Sequence, residues 1–149
     1  MFKVRDIVPH SGEMVLVENI VSHSDDSIVA VTVIRESSPF YRPGSDPVTG
    51  GVAGVPSWVG LEYMAQTVAA WSGLREREQG GAPRSGFLIG VKRYTASKPV
   101  FPTGSRLEIE ARVRDRHGSL AVFECRISAE EIEVEAVLNV VEGELMEES

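Results

Sequence analysis

Glu62 is a single carboxylate within the most apolar stretch of this sequence, which covers residues 55–71. Gln66 follows four residues later, so in a helix the two side chains lie on the same face. Apolar surroundings disfavour the charged form of a carboxyl group, and burial here predicts a raised pKa for Glu62. A carboxyl group that holds a proton near neutral pH can act as a general acid or base. We therefore predict that Glu62 is catalytic and that Gln66 orients it through a hydrogen bond.

An alternative is that Glu62 lies on a narrow, solvated face of the helix. A solvated helix face normally carries several charges of both signs. Between Glu62 and Arg75 the sequence contains no Lys or Arg. The sequence therefore favours a functional carboxylate over a surface residue.

Three histidines are available as a partner base for this carboxyl group. His10 follows Pro9 near the N-terminus and is the candidate base, with a histidine that packs the N-terminal segment as the alternative. His23 and His117 stand in predicted turns and are expected to be solvated. Three scattered histidines and one cysteine, Cys125, lack metal-ligand spacing, so we predict no metal and no cofactor.

The apolar pattern predicts an α+β protein. Residues 14–21 and 28–34 are rich in Val and Ile, which is typical of strands. Period-two alternation then predicts four more strands, at residues 86–96, 106–114, 119–127 and 132–140.

Between the two sets of strands, one helix is predicted from Pro56 to about Gly73, before a charged loop at 75–81. The irregular segment 36–54 precedes it and is long enough to be expected to have a function. A helix this apolar must be covered on every side. An antiparallel sheet wrapped around it covers much of its surface, and a second copy of the chain would cover more.

The composition is that of one globular domain over residues 1–149. Hydrophobic residues make up 42% of the chain and charged residues 25%, which is neither a disordered nor a membrane composition. No apolar run reaches 18 residues and the N-terminus has no long apolar region, so a cytoplasmic protein without a membrane span is expected. Residues 142–149 are acidic and are expected to form a loose tail.

The charge is unevenly distributed along the chain. A net charge of −7 argues against nucleic-acid binding. Residues 79–107 nevertheless contain no Asp or Glu. We predict a carrier-docking surface from four basic residues of this segment: Arg84, Lys92, Arg93 and Lys98. It would suit an acidic carrier protein or a phosphate-bearing ligand, whereas a chance run of exposed cations is the alternative.

Five short motifs follow one another along most of the chain. They are Pro9-His10 with residues 14–18, residues 38–41, residues 55–57 with 62–66, residues 87–94, and residues 99–104. In this order and spacing they resemble the 3-hydroxyacyl-acyl-carrier-protein dehydratase family of bacterial fatty-acid synthesis. The resemblance implies a hotdog fold, in which an antiparallel sheet wraps around one long central helix.

One position departs from that family. Active members carry a histidine about 14 residues before the helix glutamate, and here Val48 occupies that place. The chain is therefore similar to a divergent branch that lacks this histidine, such as the dehydratase-like subunits of aryl polyene clusters.

The resemblance implies an activity on 3-hydroxyacyl thioesters, carried on acyl carrier protein or on coenzyme A, in fatty-acid or polyene-type lipid biosynthesis. Glu62 matches the family's acid, which protonates the departing hydroxyl group. Amides at the start of the helix are expected to bind the thioester oxygen. The substrate-binding residues that we predict are Gly51, Gly54, Ser57, Trp58 and Tyr63.

The missing base leaves several functions open. His10 of this chain is one candidate for the base. Active sites of the family lie between two subunits, so in a mixed dimer a related partner would supply the histidine. A hotdog thioesterase that activates water with Glu62 needs no histidine. A non-catalytic subunit that binds acyl chains or completes a mixed dimer is the remaining alternative, and either kind of dimer, homodimer or heterodimer, fits the sequence.

Overall fold

The computed structural model describes residues 2–3, 16–78 and 85–143. Within these residues it contains one α-helix, α1 (Gly60–Glu78), and nine strands. The strands are β1 (Phe2–Lys3), β2 (Asn19–His23), β3 (Ser27–Val33), β4 (Gly54–Pro56), β5 (Ser85–Ala96), β6 (Val100–Pro102), β7 (Arg106–His117), β8 (Leu120–Ala129) and β9 (Ile132–Gly143).

A seven-stranded antiparallel sheet forms the main layer, in the order β1-β2-β3-β7-β8-β9-β5. The helix α1 packs on this sheet and contacts β3, β5, β7, β8 and β9. Along β7, Leu107, Ile109 and Ala111 are fully buried in the core, whereas Glu108 and Arg112 are exposed on the other face. This alternation is what a sheet with one covered face requires. The predicted antiparallel sheet around a buried helix is confirmed.

The helix begins later than the sequence predicts. Pro56, the predicted first helical residue, instead ends β4, and a short 3-10 turn (Ser57–Val59) precedes α1. β4 pairs with β6 in a separate two-stranded sheet. Neither strand was predicted, because three residues are too few for alternation to be visible. Gly54 permits their close pairing, since a Cβ atom there would lie 2.0 Å from the carbonyl oxygen of Phe101.

The helix also ends later than predicted, at Glu78 rather than near Gly73, so residues 75–78 are not the predicted loop. Leu74 is buried. The Arg75 guanidinium lies 4.9 Å from the centroid of the Trp71 ring and 3.5 Å from the Asp25 carboxylate. A glycine inside a helix costs only about 1 kcal/mol, so these contacts suffice to continue the helix past Gly73.

Segment 36–54 is largely irregular, as predicted, but it is anchored. A 3-10 turn (Pro47–Thr49) lies within it, and the Asp46 side chain caps that turn by accepting the Val48 N–H. Asp46 also pairs with Arg42, at 3.1 Å. The Val48 N–H and the Arg42 guanidinium together hold the pKa of Asp46 below its usual range.

The ends of two predicted elements differ from the structure. The first long strand begins at Asn19 rather than at residue 14, and residues 14–15 lie outside the described part of the chain. β9 continues to Gly143, so the predicted tail does not begin at residue 142. Residues 144–149 of that tail are likewise outside the described residues.

Candidate active site

A cavity of about 280 Å³ lies beside the start of α1. Its described lining is apolar apart from one carboxylate, and consists of Leu16, Phe40, Trp58, Val59, Leu61 and Glu62. Glu62 is therefore the single titratable side chain among the described residues that line it. A mostly apolar cavity with one polar group is typical of a site for a small ligand or an acyl chain.

Glu62 lies in the first turn of α1 and is half-buried. In the single chain the cavity that it lines is open to solvent. A carboxylate in the first turn interacts favourably with the partial positive charge of the helix N-terminus. Glu62 thus lies both at the N-terminus of a helix and in the wall of an apolar cavity.

Gln66 makes the predicted hydrogen bond. Its side chain is only 1% exposed, and Nε2 donates to Oε2 of Glu62 at 3.3 Å. The other end of the amide, Oε1, accepts the backbone N–H groups of Leu16 at 2.8 Å and of Val17 at 3.4 Å. The orientation of Glu62 is therefore linked to the segment that leads into β2.

Two aromatic side chains form the outer wall of the cavity. The ring centroids of Phe40 and Trp58 lie 6.3 Å apart in an edge-to-face arrangement, and the residues are 47% and 55% exposed. Trp58 was predicted to bind substrate, but Phe40 was not. The position of Phe40 within the motif at residues 38–41 was the feature of the sequence that could have indicated its role. Phe40 has a φ of 68°, an uncommon conformation for a bulky residue, and such strain is often found at functional sites.

Ser57 is held in place by two backbone hydrogen bonds. Its N–H donates to the Pro99 carbonyl at 2.8 Å, and its carbonyl accepts the Tyr94 hydroxyl at 2.6 Å. The predicted Ser57 amide is therefore already occupied and is not a donor for a thioester oxygen. Burial raises the pKa of Tyr94 to about 12, so this phenol keeps its proton. Tyr94 was not predicted as part of the site.

The two predicted glycines, Gly51 and Gly54, have roles in the backbone of the chain itself. The Gly54 N–H donates to the carbonyl of Arg42 at 3.0 Å, so this amide already has a partner within the chain. Gly51 is exposed and has a φ of 93°. A left-handed backbone there favours glycine for the turn itself.

Tyr63 does not line the cavity. It is 2% exposed and packs against Phe101, with ring centroids 6.0 Å apart. Burial raises the pKa of its hydroxyl well above the usual value. Tyr63 follows Glu62 in the chain but lies on a different face of α1, which explains why it belongs to the core rather than to the cavity.

The described histidines lie away from Glu62. His23 is 3.9 Å from Glu78, at the opposite end of α1, and 16 residues of helix span about 24 Å. His117 is exposed beside Asp115 near the β7–β8 turn. His10 lies outside the described residues. His117 is exposed, as predicted, whereas His23 is partly buried, and both residues end strands rather than lie in turns.

The predicted docking cations do not form one surface in the described residues. Arg93 lines two grooves on the sheet face away from α1, and Lys92 lines one of them. Lys98 is 3.7 Å from Glu131 and immediately precedes Pro99, which binds Ser57. Arg84 lies outside the described residues. Of the four, Lys98 is placed near the start of α1.

The described residues contain neither a candidate metal site nor a candidate membrane-spanning helix. No group of three His, Cys, Asp or Glu side chains there is arranged to hold a metal ion. None of the helices in the same residues is long and apolar enough to span a membrane.

An antiparallel sheet with one central helix and a carboxylate at the helix start fits a dehydratase-like protein of the hotdog fold. Comparison with known proteins supports this class. The family model described as ApeP-like, ApeP dehydratase, matches residues 2–149. The chain belongs to this ApeP-like dehydratase family.

Individual relatives agree with that assignment. The chain is 31% identical over 124 residues to the 3-hydroxyacyl-[acyl-carrier-protein] dehydratase FabZ of Streptococcus equi subsp. zooepidemicus, and the match covers 83% of each protein. A chain of the dehydratase heterocomplex ApeI:P from Xenorhabdus doucetiae superposes with a TM-score of 0.84 and 27% identity, covering 97% of this chain and 93% of that one. The protein smu.793 from Streptococcus mutans, solved with acetyl CoA, shares the fold, with a TM-score of 0.58, 12% identity and coverage of 85% and 88%.

Proposed function

We propose that this protein is a subunit of a dehydratase that removes water from 3-hydroxyacyl thioesters carried on an acyl carrier protein. One observation carries the proposal. Glu62 is the single titratable group among the described residues that line an apolar cavity, and it is hydrogen-bonded to a buried amide. The names of the FabZ and ApeI:P relatives support the same reaction class.

In this reaction a base removes the proton from C2 of the acyl chain. The electron pair of that C–H bond forms the C2–C3 double bond while the C3–O bond breaks. Glu62 gives its proton to the departing hydroxyl, which leaves as water, and Glu62 remains as a carboxylate. The products are an enoyl thioester, water and a protonated base.

Charge that develops on the thioester oxygen needs donors. The first N–H groups of a helix lack partners inside that helix and carry partial positive charge. Since the amide of Ser57 is occupied, we assign this role to the next residue, Trp58, which lines the cavity. The Trp58 ring would at the same time contact the acyl chain.

A mixed dimer is the second candidate function, in which this chain contributes Glu62 and a related subunit contributes the base. Two observations favour it. His23 pairs with Glu78 at the far end of α1, and His117 follows Arg116, whose guanidinium lies over Trp71 more than two turns along α1 from Glu62. One of the similar structures is a chain of a dehydratase heterocomplex. The base would otherwise be His10.

The test uses the purified full chain with 3-hydroxyacyl- and enoyl-carrier substrates, followed by mass spectrometry of the carrier. Removal or addition of water by the chain alone supports a complete dehydratase. If His10→Ala abolishes this activity, His10 is the base. Activity that appears only with a histidine-bearing related subunit supports the mixed dimer. Release of free carrier thiol would instead indicate a thioesterase. No conversion in any of these mixtures contradicts the proposed function.

A further inference from the structure

The buried Gln66 side chain joins two parts of the molecule that are 50 residues apart in sequence. It takes part in at least three hydrogen bonds, to the N–H groups of Leu16 and Val17 and to Oε2 of Glu62. The oxygen and nitrogen of a glutamine amide are often assigned by their partners. Here two backbone donors meet the oxygen, which leaves the nitrogen facing Glu62.

The Leu16 peptide is held on its other side as well. Its carbonyl accepts the Thr32 hydroxyl at 3.1 Å, and Thr32 is 3% exposed. The Leu16 side chain lines the same cavity as Glu62. The backbone at residues 16–17 is therefore fixed between β3 and α1, beside the cavity.

We infer that Gln66 is a positioning residue that ties the Leu16–Val17 backbone to Oε2 of Glu62, so that Oε1 of Glu62 is the oxygen that exchanges a proton with substrate. The second half of this inference rests on the function proposed for Glu62, whereas the hydrogen-bonded link does not. An amide suits this position because it is both an acceptor and a donor. A carboxylate at residue 66 would keep the acceptor and lose the donor, and a thioether would lose the donor and keep only a weak acceptor.

The electrostatic surroundings make the link measurable. The other described residues that line the cavity are apolar: Leu16, Phe40, Trp58, Val59 and Leu61. Glu18, the nearest charged residue along the strand segment, is paired with Arg35. A new carboxylate at residue 66 would therefore act on Glu62 without a compensating cation among these residues, and like charges favour the protonated form.

The experiment is an NMR pH titration of the full chain without substrate, which follows the side-chain carboxyl carbon of Glu62 and the amide groups of Leu16, Val17 and Gln66. In the wild type, the three amide signals should shift with the same midpoint as the Glu62 carboxyl. In Gln66→Glu, the Glu62 midpoint should move to higher pH by about one unit. In Gln66→Met, the Leu16 amide should exchange with solvent faster, by about tenfold or more.

Thr67→Val is the matched control. Thr67 is the next residue of α1, is fully buried, and its hydroxyl donates to the Tyr63 carbonyl at 2.8 Å. Its loss should leave the Glu62 midpoint and the Leu16 amide unchanged. If the wild-type Leu16 amide signal does not shift as Glu62 titrates, the link is overturned. This measurement does not depend on whether a Gln66 variant folds. An unchanged Glu62 midpoint in a folded Gln66→Glu variant would overturn the link as well. Since no substrate is used, these outcomes are separate from the failure of the dehydratase proposal.

Discussion

The proposed function depends on the hydrogen-bonded pair of Glu62 and Gln66 beside an apolar cavity. The isolation of Glu62 among apolar residues indicated a site, and the i, i+4 spacing to Gln66 indicated their hydrogen bond, because both depend only on helix geometry. The partners of Gln66 on the strand segment could not be predicted, since they lie 50 residues away. The sequence did not show which face of the helix the cavity occupies, so it could not place Tyr63 in the core.

At the residue scale, Trp58→Ala should weaken substrate binding. Trp58 is 55% exposed and lines the cavity, so its loss removes a large apolar contact and costs about tenfold or more in kcat/KM. Steady-state kinetics with an enoyl-carrier substrate, with the partner subunit present if one is required, measures this effect. Val48→Ala is the control, because Val48 is similarly exposed, at 51%, and is not among the residues that line the cavity. Equal losses in both variants would contradict the assignment of the cavity as the substrate site.

At the scale of elements, long alternating strands were predictable and short ones were not. β7, β8 and β9 have at least ten residues each, enough for a period of two to be visible. β4 and β6 have three residues each, and their pairing depends on the close approach of Gly54 and Phe101. The end of α1 was missed because Arg75 gains contacts with Trp71 and Asp25 that a local pattern does not contain.

The start of α1 depends on the fit between Gly60 and Tyr94. A Cβ atom at residue 60 would lie 2.5 Å from the Tyr94 hydroxyl oxygen and 3.0 Å from Cδ1 of Ile127. Gly60→Ala should therefore destabilise the protein by about 1–3 kcal/mol. Tyr94→Phe should cost about 1–3 kcal/mol as well, because the Ser57 carbonyl loses its donor.

The double variant, Gly60→Ala with Tyr94→Phe, shows whether the contact with the Tyr94 hydroxyl causes the destabilisation by Gly60→Ala. Tyr94→Phe removes the oxygen atom that the added methyl group at residue 60 would meet, so the double variant should be less destabilised than the sum of the single variants. Urea unfolding of all four proteins measures the free energies. Strict additivity would show that Gly60 and Tyr94 act independently, in contrast to the geometry.

For the whole molecule, the fold class followed from the order of elements, whereas the completeness of the site did not. His10 lies outside the described residues, and a second chain adds groups that one sequence does not contain. We expect such a chain to pack on the open side of the cavity, where Phe40 and Trp58 are exposed. Docking of a carrier protein likewise depends on the surface of the whole molecule.

We predict that Lys98→Glu raises KM for a carrier-linked substrate by about tenfold, because a rim charge steers an acidic partner. Lys98 adjoins Pro99, which binds the Ser57 amide at the start of α1. The same variant should leave KM for a short pantetheine thioester unchanged. Lys92→Glu is the matched control on the far face of the sheet. A larger effect at Lys92 than at Lys98 would contradict docking beside the helix start.

Stability should fall at alkaline pH. Burial raises the pKa of the Cys125 thiol from 9.0 to about 12, so the unfolded chain loses this proton first. The contribution is present in full below about pH 9 and is lost as the pH rises towards 12. In Cys125→Ala, the decline of the urea midpoint between pH 8 and 11 should be shallower than in the wild type. Parallel declines in the two proteins would contradict a buried neutral thiol.

The proposed function requires that Glu62 transfers a proton to and from the substrate hydroxyl. The most direct measurement is the rate of water loss from a 3-hydroxyacyl-carrier substrate by Glu62→Gln, with Glu78→Gln, at the other end of α1, as the control. If Glu62 is the acid, Glu62→Gln lowers the rate by about 10²–10⁴ while Glu78→Gln retains it. A Glu62→Gln protein as fast as the wild type would contradict the account.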